Sequence, residues 1–475
     1  MEGMLLQPKY IFLLACIFFS GITASGQTSP DPAAPAPAAR YTIGEIRITG
    51  NKKTKKEIIQ RELPFASGDS LTPADLTAKM ETARKQLMNT ALFNHVVVAA
   101  GSFEEDKVNL VIEVKERWYL FPSPYFKPVD RNLNQWLVEQ KGSLDRVNYG
   151  AKLTYNNVTG VNDKFRLWLI TGYTRQFSFS YDRLYINRNL KWGMNTSFAA
   201  GKTRELNYTT ENDKQLFLKD PGDYVRHFIN AHIGFSYRPA IRTKHSFGIA
   251  FTSERITDTI VSLNPGYFKQ GYKSAGYPSL FYNMTYFDLD YIPYPSKGYA
   301  ANVSVSKSGL NHSINLWQLH IKGLGSWPLW KKTFFQLSGY AGIKLPFKQP
   351  YFNRRFLGYG DVYLQGYEYN VIDGVAGGYL RSGLYHELLN FRMRLAGGKG
   401  KVPVVIPFRV VGKIYGNTGY VYNPDEGNNR LSNKMLYTGG AGLDIVTAYD
   451  IVVRLEWSFN QLGQNDLFLH RKGVF

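Results

Sequence analysis

The chain has almost no cysteine: Cys16 is the only one among 475 residues. A lone cysteine cannot form an intramolecular disulfide, and cleavage of the chain before Gln27 would remove it and with it any thiolate metal ligand. Long apolar runs are missing too. Past the N-terminal stretch nothing approaches the ~18 to 20 apolar residues that a membrane helix requires. The signatures of enzymes are also absent. There is no Gly-x-Ser-x-Gly elbow, no His-Glu-x-x-His pair and no Gly-Lys-Ser phosphate loop, and the eight histidines are scattered. His386-Glu387 is the most suggestive acid/base pair, but neighbours on a strand point to opposite faces and cannot readily act together. These absences point away from covalent catalysis, and no cofactor or metal is expected.

The sequence begins with an export pattern. Lys9 leads into Tyr10-Ile-Phe-Leu-Leu-Ala-Cys-Ile-Phe-Phe19, and the small residues Ala24-Ser-Gly26 follow, as in a secretory signal cleaved before Gln27. The competing reading is a lipoprotein cysteine at Cys16, but apolar residues continue beyond it. Residues 1–26 are therefore expected to be a signal peptide. Residues 27–40, mostly Pro, Ala and Ser, form a flexible linker.

Charge is unevenly spread. The chain carries a net +20, yet residues 41–118 hold 12 basic against 11 acidic side chains, so nearly all the excess lies further along. An exported chain without a nucleic-acid motif directs such a surface to the phosphates of lipid headgroups, not to nucleic acid. Scattered, solvated loop charges would give the same total.

Two periodicities divide the remainder. Residues 41–116 read strand, helix, helix, strand, strand. Ile43, Ile46 and Ile48 mark the first strand, and Thr54 is expected to cap a helix carrying Ile58, Ile59 and Leu63. A second helix opens at Thr72-Pro73 with Leu76, Met80, Ala83 and Leu87 at helical spacing. From 117 to 475 the helical period disappears. In Ile451-Val-Val-Arg-Leu-Glu-Trp-Ser-Phe-Asn460, apolar Val453, Leu455, Trp457 and Phe459 alternate with polar Arg454, Glu456, Ser458 and Asn460. Such alternation suits a barrel with lipid outside and water inside. Sixteen strands can be placed, starting near 117, 146, 163, 175, 191, 226, 245, 276, 298, 313, 332, 379, 406, 435, 450 and 466. The long connections (129–145, 205–225, 257–275, 346–378, 422–434) all follow odd-numbered strands and so share one end. Most of the others are short, 391–402 being an exception. A soluble β-sandwich would explain the alternation but not the one-sided loops. The loop 346–378 contains Tyr363-Leu-Gln-Gly-Tyr-Glu-Tyr369, and nine aromatics between Phe347 and Tyr379 argue for an ordered, functional loop.

Several short elements, in this order, resemble those of a known family. Residues 41–116, with Gly50-Asn51, Gly68-Asp69 and Phe93, are similar to a POTRA domain. The whole resembles the outer-membrane protein assembly and secretion superfamily that includes BamA, TamA and the two-partner secretion transporters. In the barrel the resemblance rests on Asp290-Tyr-Ile-Pro-Tyr-Pro-Ser-Lys-Gly298, Leu364-Gln-Gly-Tyr367, Glu387, Tyr415-Gly-Asn-Thr-Gly419, Gly440-Ala-Gly-Leu-Asp444 and the terminal aromatic Phe475. The implied fold is an α+β POTRA domain followed by an all-β transmembrane barrel of about sixteen antiparallel strands. In that family the loop folds into the lumen and its arginine meets acidic residues of the wall. Here the arginine is replaced by Gln365 and an acidic residue by Asn417. These two amides are expected to form a neutral latch with Leu364, Gly366, Tyr367 and Glu387, each hydrogen bond contributing about 1 kcal/mol net. Gly473 and Arg471 stand where an assembly signal would show apolar residues.

The resemblance implies an outer-membrane assembly or insertion factor of a Gram-negative bacterium, with its POTRA domain in the periplasm. Client polypeptides, unfolded outer-membrane or secreted proteins, would add as a strand to the edge Phe93-Asn94-His95-Val96-Val97-Val98. They would enter the barrel at a seam between the first strand, Trp118 to Tyr125, and the last, Asp466 to Phe475. Outer-membrane lipids including lipopolysaccharide, and periplasmic or lipoprotein partners, would complete the set. Polypeptide export through the lumen, or a passive surface barrel docking a partner, are the alternatives.

Overall fold

A computed structural model describes residues 39–128, 141–144, 147–187, 189–269, 271–310, 314–395 and 404–470. Cys16, the signal and most of the linker lie outside the described residues, as do Arg471, Gly473 and Phe475.

The first domain is a four-stranded sheet on two helices. Its elements are β1 (Tyr41–Thr49), α1 (Lys56–Gln60), β2 (Ser70–Leu71), α2 (Pro73–Asn89), β3 (Phe93–Glu104) and β4 (Lys107–Glu116). The two-residue β2 was not anticipated. Strand order is β2-β1-β4-β3, with β1 parallel to β4 and β3 at an edge. Ile43, Ile58, Ile59, Leu76, Ala83, Leu87, Leu110 and Ile112 form one buried cluster. Each large aliphatic side chain taken from water contributes roughly 1.5–3 kcal/mol. Helix α2 starts as expected: Pro73 holds its first turn, and the Thr72 hydroxyl accepts from the Asp75 amide at 3.2 Å. Helix α1 does not. Its N-cap is Lys55, without a side-chain cap bond, because the Thr54 hydroxyl is taken by Tyr119 (3.1 Å) and Asn157 (3.0 Å) at the junction with the second domain.

The second domain is a sixteen-stranded antiparallel sheet in sequence order. It opens with β5 (Leu120–Pro128), β6 (Val147–Asn156), β7 (Lys164–Gly172), β8 (Thr174–Tyr185) and β9 (Trp192–Thr203). A separate hairpin, β10 (Glu205–Glu211) and β11 (Lys214–Lys219), fills the next long connection. The sheet resumes with β12 (Arg226–Tyr237) and β13 (Thr243–Ile256). After α3 (Asp258–Leu263) come β14 (Ser274–Leu289), β15 (Gly298–Ser308), β16 (Leu316–Trp330) and β17 (Thr333–Leu345). The loop that follows holds α4 (Tyr351–Arg354) and the short hairpin β18 (Arg355–Leu357) and β19 (Ile372–Asp373). Then come β20 (Ala376–Leu395), β21 (Val404–Tyr422), β22 (Met435–Thr447), β23 (Val452–Asn460) and β24 (Asn465–His470). Each expected start lies within three residues of an observed one. Among the described residues β5 pairs only with β6 and β24 only with β23.

Strand β23 shows which face meets lipid. Leu455, Trp457 and Phe459 are exposed, whereas Arg454, Glu456 and Ser458 are buried. Polar inside and apolar outside inverts the order of a water-soluble sandwich and is the arrangement of a membrane barrel. At the end bearing the long connections the loops pack on one another. Ile260, Tyr267, Phe268 and Tyr351 share a buried cluster with Leu206 and Val225. At the tip of the β10–β11 hairpin, Asp213 accepts from the amides of Arg430 (3.1 Å) and Leu431 (3.1 Å).

Candidate functional site

Loop 346–375 turns inward and is gripped by the last five strands. Leu364 and Tyr367 are buried with Phe356, Ile372, Val421 and Leu436. Asn460 donates to the Gly366 carbonyl at 2.7 Å, and Arg381 donates to the Tyr363 carbonyl while lying over the Tyr363 and Tyr379 rings. The structure puts Gln365 and Asn417 in contact: Asn417 Nδ2 donates to Gln365 Oε1 at 3.3 Å and to Thr438 Oγ1 at 3.0 Å. The contact is not a neutral one standing alone. Gln365 Nε2 donates at 2.7 Å to Glu456 Oε1, a carboxylate wholly shielded from solvent.

The positive charge that meets this carboxylate comes from the barrel wall. Lys413 Nζ lies 2.5 Å from Glu456 Oε1 and 2.6 Å from Asp444 Oδ1. Register explains the reach. Lys413 on β21 pairs with Gly442 on β22, which pairs with Glu456 on β23. A Cβ on Gly442 would stand 3.0 Å from Lys413 Cε, so only glycine leaves the lysine a path across β22. Two residues along, Tyr415 crosses Gly440 in the same way to meet Ser458 Oγ at 2.6 Å. The Gly440-Ala-Gly442 element is thus a gap in one strand through which its neighbours join.

Glu387 corrects the expectation. It lies apart from the loop contacts and pairs with Arg409 at 2.8 Å. On the β20–β21 ladder Arg381 stands opposite Asn417, whereas Glu387 stands opposite Val411. Six residues of strand put it roughly 20 Å further down the wall. Glu456, Lys413 and Asp444 were missed as site residues, although each is a charge on the inward face of an alternating strand, where ionisable groups are costly and mark function.

Of the expected client edge, Phe93 and Val96 point into the core, whereas Asn94, His95 and Val97 are exposed. Arg117 Nε occupies the Phe93 carbonyl at 2.8 Å. Of the expected seam, Trp118 precedes β5 and is 65% exposed. The ladder starts late because Arg117 is drawn to Asp450, at 2.6 Å, in the turn before β23. Tyr125 faces the lumen, with Lys152 Nζ 4.0 Å from its ring, and Asp466 lies exposed opposite Ser458.

The first domain is held against the turns of the barrel's short-loop end. Glu62 meets Arg238 at 2.5 and 2.8 Å, Lys55 N donates to the Gly160 carbonyl at 2.9 Å, and Asn89 donates to the Leu289 carbonyl at 3.1 Å. Burial would depress the Arg238 guanidinium, but the Glu62 carboxylate outweighs that and holds it above its usual range.

With this geometry in hand, known proteins can be compared. The POTRA family, described as surface antigen variable number repeat, matches residues 41–117. A curated relative, the outer membrane protein assembly factor BamA of Neorickettsia risticii, is 30% identical over 78 residues, which are 16% of this chain and 10% of that protein. The match thus spans a tenth of the relative's length. The crystal structure of BamA from Haemophilus ducreyi lacking POTRA domains 1-3 covers 91% of this chain and 83% of its own at 14% identity and a TM-score of 0.51. CdiB from Escherichia coli covers 90% and 75% at 13% identity and a TM-score of 0.52. These likenesses define a class, one POTRA domain followed by a sixteen-stranded membrane barrel. The family match places a POTRA domain at residues 41–117, and over the whole chain the likeness to these solved structures is one of fold.

Proposed function

We propose that the protein assembles or inserts polypeptides in the outer membrane of a Gram-negative bacterium, with its POTRA domain in the periplasm. The observation that carries this reading is a pair of unfinished sheets. Strand β3 is an edge, and among the described residues β5 and β24 each have a ladder on one side only. Backbone donors and acceptors on such edges template another strand. Clients are unfolded outer-membrane or secreted polypeptides, taken first along Asn94 to Val98 and then at the β5/β24 seam. Outer-membrane lipids including lipopolysaccharide, and periplasmic or lipoprotein partners, would bear on the basic barrel and the docked domain. Export through the lumen is the less favoured reading, since the inward loop and the packed long connections would have to leave first.

Photo-cross-linkers at Asn94 and Val97, at Tyr125 and Asp466, and at the control Lys79 on α2 test this with a radiolabelled barrel client. Capture at the edge and seam but not at Lys79 is expected. Equal capture at Lys79, or capture confined to lumen-facing positions remote from the seam, would reject the assignment.

A further inference from the structure

The inward loop, β23 and β24 bring three metal-binding side chains together, Glu368, Glu456 and His470, whose ligand atoms lie within 4.8 Å of one another. His470 Nε2 is 3.4 Å from Glu368 Oε1 and 3.4 Å from Glu456 Oε2. A protonated imidazole bridging two carboxylates would draw them to ~2.7–2.9 Å with aligned N–H bonds. Instead, His470 Nε2 and Glu456 Oε2 are buried and have no hydrogen-bond partner. Zinc bonds of about 2.0–2.2 Å in a tetrahedron hold the donors roughly 3.3–3.5 Å apart, which is the spacing His470 keeps from both oxygens.

The surroundings orient these donors. Glu456 is wholly shielded, and its other oxygen is fixed by Gln365 at 2.7 Å and Lys413 at 2.5 Å, leaving Oε2 aimed at the histidine. Glu368 is fixed through its Oε2 by the Gly366 amide at 2.8 Å. The Tyr363 ring stacks on the imidazole with centroids 5.2 Å apart. Outer contacts that set ligand direction in this way are typical of metal sites. Lys413 is itself shared with Asp444 at 2.6 Å, so a dication would not face an uncompensated ammonium. The donor set of one imidazole and two carboxylates suits a borderline ion of the zinc type.

We propose that Glu368, Glu456 and His470 bind one divalent transition-metal ion of the zinc class, with a fourth position open to water. The sequence reading had expected no metal. The ion would tie the inward loop to the last two strands, and the site does not depend on the assembly reading above.

The test uses the full chain in detergent, stripped with a chelator and titrated with Zn2+ against a chromophoric competitor. One ion per chain, with a dissociation constant below about 1 μM, is expected, and X-ray absorption should show a single imidazole among oxygen ligands. His470→Ala and Glu368→Gln should each weaken binding at least about tenfold, while His470→Cys, which keeps a zinc donor, should retain it. The heat-dependent gel mobility of each variant checks folding. Should His470→Ala fail to fold, Glu368→Gln on the loop decides. No high-affinity Zn2+ in the wild type, or binding unchanged in the folded variants, would overturn the site.

Discussion

Lys413 and Glu456 meet at 2.5 Å across an intervening strand, both closed to solvent. The lumen therefore keeps a buried ion pair even though the inward loop carries a glutamine. The cation stands on the wall, and Gln365 on the loop donates a hydrogen bond to the same carboxylate.

That arrangement predicts a charge exchange. Lys413→Met leaves Glu456 without its cation and should cost on the order of 3–5 kcal/mol, because a buried charge loses its partner. Adding Gln365→Arg returns a cation to Glu456 from the loop side. A coupling energy of roughly 1–3 kcal/mol, favouring the double variant, is expected from thermal unfolding of the four proteins. Additive losses would show that the loop cannot substitute for the wall.

Gly442→Ala tests the gap in β22. Its Cβ would lie 2.5 Å from the Leu455 carbonyl oxygen and 3.0 Å from Lys413 Cε. Overpacking of this kind costs typically about 1–3 kcal/mol. The heat-shift midpoint should fall measurably, whereas Gly416→Ala, with nothing within 4 Å of an added Cβ, should leave it nearly unchanged. Equal midpoints would mean that β22 yields.

Domain docking depends on Glu62 and Arg238. Glu62→Gln removes a charge-assisted pair worth about 1.5–3 kcal/mol, and with Asn89→Ala the contact to the β14–β15 turn is also lost. Spin labels at Val97 and on an outer barrel residue such as Leu169 should then report a broadened distance distribution. A distribution as narrow as the wild type's would assign docking to the 54–55 and 157–160 contacts alone.

The lipid face is checked by Leu455→Arg. An arginine facing the bilayer midplane costs roughly 2–4 kcal/mol, so the variant should lose heat-resistant gel mobility well before the wild type. Unchanged mobility would place Leu455 at the interface instead of the hydrocarbon.

Much of this was legible in the chain itself. Alternation in β23 and its fellows exposed the number, order and lumen face of the strands, because a period of two is a local property of extended backbone. Thr72-Pro73 likewise announced α2. Thr54 was misread since its hydroxyl is claimed by Tyr119 and Asn157, partners 65 and 103 residues away. Glu387 was misplaced because motif order says nothing of height along a wall. The Lys413, Gly442 and Glu456 row, and the meeting of Glu368 with His470, depend on register between strands and on where an inward loop comes to rest. Those are decided by the closing of long segments on one another, which no stretch of sequence encodes alone.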